Sequence, residues 1–397
     1  MNFKVKSLKK YFLSTLIVLF TFSFTYLPLN YFSVSKSFIM LSCLVLLSLT
    51  LITENQKLKE IFHNQQFLSY YLIFLSWYTF RLIGTSQTQI EQVDFISIYI
   101  INTLTIFFCT HYSFLNRYII DILFFFGISY TAISCASFLF IAEDQLYINI
   151  FQIMNIQFDG NIYQNIGFWL SFAVIVSANY IELNLSKFKN NILLILSFVL
   201  IFIISLLFLL LIGSRGAFIG AFAALSFLLI KTRVLAVHYL ALFFGIILII
   251  ISFKNYDSLL TLNRLLTLTS STDESMRIYL FSSAIDLWLT DIKTFFFGGG
   301  VKSFPIFINQ NSLGFYPHNI FLEVLSELGL VGIILFFKML SIPYYNLHKN
   351  NLLTMLTIFM FFLFIVNGSL DSSYQLFFIL ALSIQSNTFI KHNNLWT

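Results

Sequence analysis

The segment Asn191–Ile212 reads NILLILSFVLIFIISLLFLLLI, and past its first residue only two serines interrupt the apolar side chains. A hydrocarbon core of about 30 Å takes about 20 helical residues to cross, so this run predicts a transmembrane helix. It does not stand alone. After the turn Gly213-Ser214-Arg215-Gly216 a second apolar span runs over 214–230, followed by a third over 234–253. Working toward the N-terminus, similar runs fall at 165–183, 118–141, 95–113, 67–84, 37–53 and 11–31. Toward the C-terminus they fall at 319–337, 352–367 and 373–390. Composition agrees: 58% of the residues are hydrophobic and 10% charged, against about 45–50% and 25% in soluble domains. The expected fold is an all-α integral membrane protein of about twelve transmembrane helices, with 1–397 a single polytopic domain. The first run has no small-residue cleavage site and is read as a retained helix, not a signal peptide.

Orientation follows from lysine and arginine, which are retained on the cytoplasmic side of a membrane. Alternate connections carry Lys57 and Lys59, Arg117, Lys187 and Lys189, Lys231 and Arg233, Lys338 and Lys349, and Lys391. The N-terminus, with Lys4, Lys6, Lys9 and Lys10, belongs to the same side. The opposite connections are neutral or acidic, with Glu91, Asp94, Glu143, Asp144 and Asp159. Both termini are therefore expected in the cytoplasm. The formal net charge of +5 reflects these anchors. No basic block outside the short turns suggests nucleic acid. Cys43, Cys109 and Cys135 lie within apolar runs and suggest neither disulfides nor a metal site.

Two features break the regularity, and both fall on the outer side. Arg215 occupies a tight outward turn, where the positive-inside rule disfavours it. The second is the long connection 254–317 between the ninth and tenth spans. There Ser271-Thr272-Asp273-Glu274 offers a capping box ahead of Ile278, Phe281, Ile285 and Trp288 at helical spacing. That pattern predicts an amphipathic helix along the membrane surface, ended by Gly298-Gly299-Gly300. Residues 309–317 read as a flexible connector into the tenth span.

These outer residues supply the candidate chemistry. Arg215 sits at the N-terminus of the eighth span, where the helix dipole already presents about half a positive charge. A cation there is unfavourable unless an anion binds both it and the free amides. The alternative is an interfacial arginine held by lipid head groups. Arg264 and Arg277 lie in the long loop, either solvated or paired with Asp273 and Glu274, or converging with Arg215 on a diphosphate. His318, in Tyr316-Pro317-His318-Asn319, is expected to begin the tenth span with Pro317 in the first helical position. A helix N-terminus would lower its pKa and keep it neutral; otherwise it is a polar interfacial residue. Glu323 and Glu327 fall i,i+4 on that helix, facing either His318 or an aqueous cavity. No Asp-x-Asp pair, metal-spaced histidine cluster, Walker loop or Rossmann fingerprint occurs, so neither a metal nor a cofactor is expected.

Three of these stretches, Gly213-Ser214-Arg215-Gly216-Ala217-Phe218, Met276-Arg277-Ile278-Tyr279 and Pro317-His318-Asn319-Ile320-Phe321-Leu322-Glu323 with Glu327-Leu328-Gly329, resemble the O-antigen ligase and O-antigen polymerase family. The resemblance implies transfer of a glycan from undecaprenyl diphosphate to an acceptor sugar, or to lipid A core, on the outer face of the bacterial cytoplasmic membrane. It implies that Arg215 and Arg277 bind the diphosphate, that Arg264 assists, and that His318 serves the acceptor hydroxyl as catalytic base. Glu323 and Asp371 are carried over as substrate-binding positions, Asp371 from Gly368-Ser369-Leu370-Asp371. The partners implied are the lipid-linked donor, the acceptor and membrane lipids, with a chain-length regulator as a candidate. Repeat-unit polymerisation is slightly favoured over ligation. A flippase or other secondary transporter is the alternative. Such proteins bind near the bilayer midplane and show inverted repeats, whereas here the unusual charges lie outside and no repeat is visible. A glycosyltransferase with an acidic residue in its first outer loop is disfavoured, because 32–36 holds no carboxylate.

Overall fold

A computed structural model describes residues 2–22, 42–47, 66–83, 103–109, 116–140, 162–186, 192–232, 272–308, 316–347, 351–370 and 373–384. Among these residues every regular element is helical. We number the following helices: α1 Asn2–Phe22, α2 Gln66–Ile83, α3 Asn116–Phe140, α4 Ile162–Ser186, α5 Ile192–Ile212 and α6 Arg215–Lys231. They continue with α7 Thr272–Trp288, α8 Ile292–Phe297, α9 Ser303–Phe307, α10 Ile320–Leu347, α11 Asn351–Asn367 and α12 Tyr374–Ile384. Among the described residues, four stretches are long and apolar enough to cross a membrane: Arg117–Ala136, Gln164–Leu185, Ile192–Ile212 and Ile320–Ile342. Asn351–Asn367 and Tyr374–Ser383 are shorter apolar helices. The expected spans at 37–53 and 95–113 are described only at 42–47 and 103–109, and that at 234–253 lies outside the described residues.

The chain divides into two compact units. The first takes Met1–Leu44, Arg117–Thr269 and Asn351–Phe362, and so carries α1, α3 to α6 and the start of α11. Its core gathers on Trp169 of α4, which is fully buried. Around it stand Phe22, Phe126 and Phe172 at 5.2, 5.4 and 6.1 Å between ring centroids. Glycines set the helix spacing, as small residues do where membrane helices pack without a hydrophobic driving force. A Cβ on Gly127 of α3 would lie 2.9 Å from the Trp169 carbonyl, and one on Gly167 of α4 would lie 2.5 Å from Ser214 Cβ. The outward side of α5 is apolar and bare, with Ile192 and Leu193 exposed, as a lipid-facing helix requires.

The second unit takes Val45–Asn116, Ser270–Asn350 and Leu363–Thr397. It holds α2, α7 to α10, α12 and the end of α11. Helix α10 passes well beyond 337, because Lys338 ends an apolar run but is itself a good helix former. It is also broken. Gly329 has φ 71 and ψ −168, dividing α10 into two helical parts. A break frees carbonyls, and these find partners: Gly299 N–H donates to Ser326 O at 2.9 Å and Gly300 N–H to Glu327 O at 2.9 Å. Trp77 Nε1 of α2 donates to Leu328 O at 3.1 Å. The glycine run is therefore a docking loop. A Cβ on Gly298 would lie 2.2 Å from Glu327 O, and one on Gly329 would lie 2.4 Å from Gly298 N.

The long connection departs from its sequence reading in two respects. Helix α7 stops at Trp288, not at the glycines, because Asp291 starts a new helix by accepting from Thr294 N–H at 2.6 Å. Gly298 closes that helix, α8, with φ 76. Helix α7 also packs within the protein, by a face that the predicted apolar stripe does not include. Leu280, Ala284 and Leu287 form a core with Phe304, Ile308 and Leu322. Of the predicted apolar stripe, Ile278 at 68% and Ile285 at 40% exposed point outward, while Trp288 stacks on Phe295 of α8. The side chains of the capping box at 271–274 and the connector at 309–315 lie outside the described residues.

Candidate functional site

The second unit brings together four of its polar segments around the start of α10. Asn319, not Pro317, starts the helix: its Oδ1 accepts from Phe321 N–H at 2.9 Å and from Leu322 N–H at 3.2 Å. Asparagine is a strong N-cap because its side chain satisfies amides that have no partner in the helix. His318 is thereby held just outside the helix, with φ 54 in the left-handed region. A non-glycine residue there costs about 1–3 kcal/mol, which the surrounding contacts must offset.

The His318 ring lies against Tyr316, with centroids 4.3 Å apart and planes inclined at 53°. Its Nδ1 is buried and has no hydrogen-bond partner among the described residues. Burial, and secondarily the positive charge of Arg277, push its pKa down to about 4. The imidazole is therefore neutral at physiological pH. Sequence ascribes that direction to the helix terminus; the structure ascribes it to desolvation and to the guanidinium.

Arg277, in the first turns of α7, donates from Nη2 to Asn367 Oδ1 at 2.9 Å. Asn367, the last residue of α11, also accepts the Tyr316 hydroxyl on its backbone carbonyl at 3.3 Å. The two glutamates of α10 are almost fully buried, Glu323 at 1% and Glu327 at 2% exposed. Glu323 Oε2 accepts from Leu370 N–H at 2.8 Å, and Glu327 Oε2 from Lys302 N–H at 3.0 Å. Each carboxylate thus caps a turn, one following α11 and one leading into α9. Arg81 of α2 donates from Nη2 to Gly298 O at 2.7 Å, fixing the glycine loop.

Sequence reasoning passed over Asn367 and Arg81. A polar residue closing the apolar run of α11, and a cation closing that of α2, were the available signals. Among the described residues no group of three His, Cys, Asp or Glu side chains is placed to hold a metal ion.

In the first unit, Arg215 opens α6 and is only 8% exposed. Gly213, with φ 83, makes the turn before it. Ser214 is the N-cap by position, yet its side chain makes no capping bond, and its buried Oγ has no hydrogen-bond partner among the described residues. Arg264 and Asp371 lie outside the described residues.

The three stretches that carry the family resemblance thus place Arg215 at a buried helix start and Arg277 beside a neutral imidazole. Residues 200–337 match the O-antigen ligase family. No curated protein matches the chain. The O-antigen ligase match takes in Arg215, Arg277, His318 and Glu323, while Asn367 and Arg81 fall beyond it. It supports an enzyme with a membrane glycosyl-transferring role in O-antigen assembly, acting on lipid-linked glycan and acceptor substrates. With the apolar helices, it also points to a bacterial inner membrane protein.

Proposed function

We propose that this protein transfers a glycan from undecaprenyl diphosphate to an acceptor sugar on the outer face of the cytoplasmic membrane, without a metal. The observation that carries the reading is the neutral His318, its Nδ1 open, beside Arg277 within the segment that matches the O-antigen ligase family. His318 takes the proton of the acceptor hydroxyl. The freed oxygen forms a bond to the anomeric carbon as the bond from that carbon to the diphosphate oxygen breaks, and the electron pair leaves with undecaprenyl diphosphate. Arg277 receives the developing charge, and by the family resemblance so do Arg215 and Arg264. Glu323 serves by holding the turn at Leu370, next to Asp371, which the resemblance assigns to substrate.

The magnitudes are adequate. A general base contributes about 10²–10⁴-fold, and each donor aimed at developing charge about 3 kcal/mol. Transfer from purified undecaprenyl diphosphate-linked glycan, by the protein in excess chelator, tests the reading. Glycan moved to acceptor is the expected result, and failure that magnesium or manganese repairs would overturn it.

Donor chemistry is common to polymerase and ligase. The family's description as O-antigen ligase favours a lipid A core acceptor as a second reading beside repeat-unit polymerisation. A deletion strain separates the two. Single repeat units on core indicate a polymerase, whereas long carrier-linked chains with bare core indicate a ligase.

A further inference from the structure

We propose that Asn367 is a positioning residue, which aims the Arg277 guanidinium at the donor diphosphate without itself adding a negative charge beside it. The inference rests on the donor reading given above and assigns a role to a residue outside the family match. Arginine carries five N–H donors on a rigid plane, so one fixed hydrogen bond restricts where the others point. In this protein that bond runs from Nη2 to Asn367 Oδ1 at 2.9 Å, between residues 90 positions apart.

The chemical identity of the acceptor matters. A carboxylate at this place would accept the same bond, but it would also neutralise the guanidinium and repel an incoming anion. An amide oxygen orients without adding charge. Asn367 is moreover the residue on whose backbone carbonyl Tyr316 rests, and Tyr316 packs on His318. One residue at the end of α11 therefore sets the direction of the cation and, through its main chain, supports the ring beside the proposed base. Glu323 secures the same turn three residues on, by accepting from Leu370 N–H. The side chain and the main chain of Asn367 thus have separable duties, and substitution alters the first while sparing the second.

The separation makes the test selective. Full-length protein in nanodiscs is titrated with undecaprenyl diphosphate, in parallel with thermal melts, for wild type, Asn367→Ala, Asn367→Asp and Arg277→Ala. A hydrogen bond to a charged group corresponds to about tenfold weaker binding for the alanine variant, and the added opposing charge to about a hundredfold for the aspartate variant. The aspartate variant keeps the acceptor for Arg277, so it should melt at or above the wild-type temperature. In turnover it should raise the donor KM and also lower kcat, because the same guanidinium receives the charge that develops on the leaving diphosphate.

A purely structural role predicts the reverse, with aspartate tolerated in binding and alanine losing stability. Wild-type affinity in Asn367→Asp, or losses of binding that only track losses of melting temperature, overturns the proposal. Should the aspartate variant not fold, the alanine variant decides: weaker binding at an unchanged melt upholds it, and unchanged binding overturns it. If Arg277→Ala binds as wild type does, the donor reading fails and takes this inference with it. If Arg277→Ala loses binding while Asn367→Asp does not, the positioning role alone fails.

Discussion

Arg215 and Arg277 lie in stretches that resemble the same family's motifs, and the two units differ in what is built around them. In the first unit the surroundings of Arg215 are set by close packing: Gly213 turns the chain, and Gly167 lets α4 lie directly against Ser214. In the second unit Arg277 is set by a hydrogen bond to Asn367, in a region where buried carboxylates and carbonyls from separate segments tie the turns together. Packing positions a group by excluding alternatives, while hydrogen bonds position it by rewarding one geometry. The first is sensitive to added volume, the second to lost or added charge.

The largest expected effect lies in the hydrogen-bonded unit. His318→Ala should lower the transfer rate by about 10²–10⁴-fold. Its melting temperature should stay near that of wild type, since Nδ1 makes no hydrogen bond among the described residues. Full activity in this variant would remove the chemical role from that unit. Next comes Gly329→Ala, which forces a side chain onto a backbone with φ 71 and a Cβ to within 2.4 Å of Gly298 N. A thermal melt should show a loss of about 2–4 kcal/mol, because the clash is with main chain and the glycine loop must undock. Gly167→Ala in the first unit meets the Ser214 side chain instead. It should therefore cost less, about 1–3 kcal/mol as overpacking does. Equal losses would mean that the two units do not differ in the way described.

Arg215→Lys sharpens the comparison from the other side. Lysine preserves charge but not the planar fork, so kcat/KM should fall by about 1–3 kcal/mol in transition-state terms if the arginine grips two diphosphate oxygens. A lysine variant with wild-type rate and donor affinity would leave Arg215 as a packing residue. The smallest effect is in pH. His318 stays neutral down to about 4 in the folded protein, whereas an ordinary histidine titrates near 6.5. The rate should thus be flat from about pH 7.5 to 5.5, and a limb near 6.5 would place the ring in water. The sign for stability follows from the same depression. The unfolded chain takes up the proton first as pH falls, so stability is lost from about pH 6.5 toward 4 and is not recovered below. Melts across that range check it, with His318→Ala removing the contribution.

The apolar helices were legible in the sequence because hydropathy is a local property, summed over about 20 consecutive residues. The runs read at 118–141, 191–212, 214–230 and 352–367 correspond closely to α3 Asn116–Phe140, α5 Ile192–Ile212, α6 Arg215–Lys231 and α11 Asn351–Asn367. The turn at Gly213 and the helix start at Arg215 were legible too, the latter because the positive-inside rule and the helix dipole both disfavour a cation there. Tertiary structure alone decided the rest. Periodicity could not choose the packed face of α7, because in a membrane protein apolar side chains suit lipid as well as core, and Ser283 and Ala284 mark the close contact instead. Asn319 displaced Pro317 as the start of α10 because its carboxamide reached two amides. The partners of Glu327, Glu323, Arg277 and Trp77 lie 25, 47, 90 and 251 positions away. A sequence shows that such donors and acceptors exist, but a hydrogen bond needs them within about 3 Å, and only the folded chain fixes that distance.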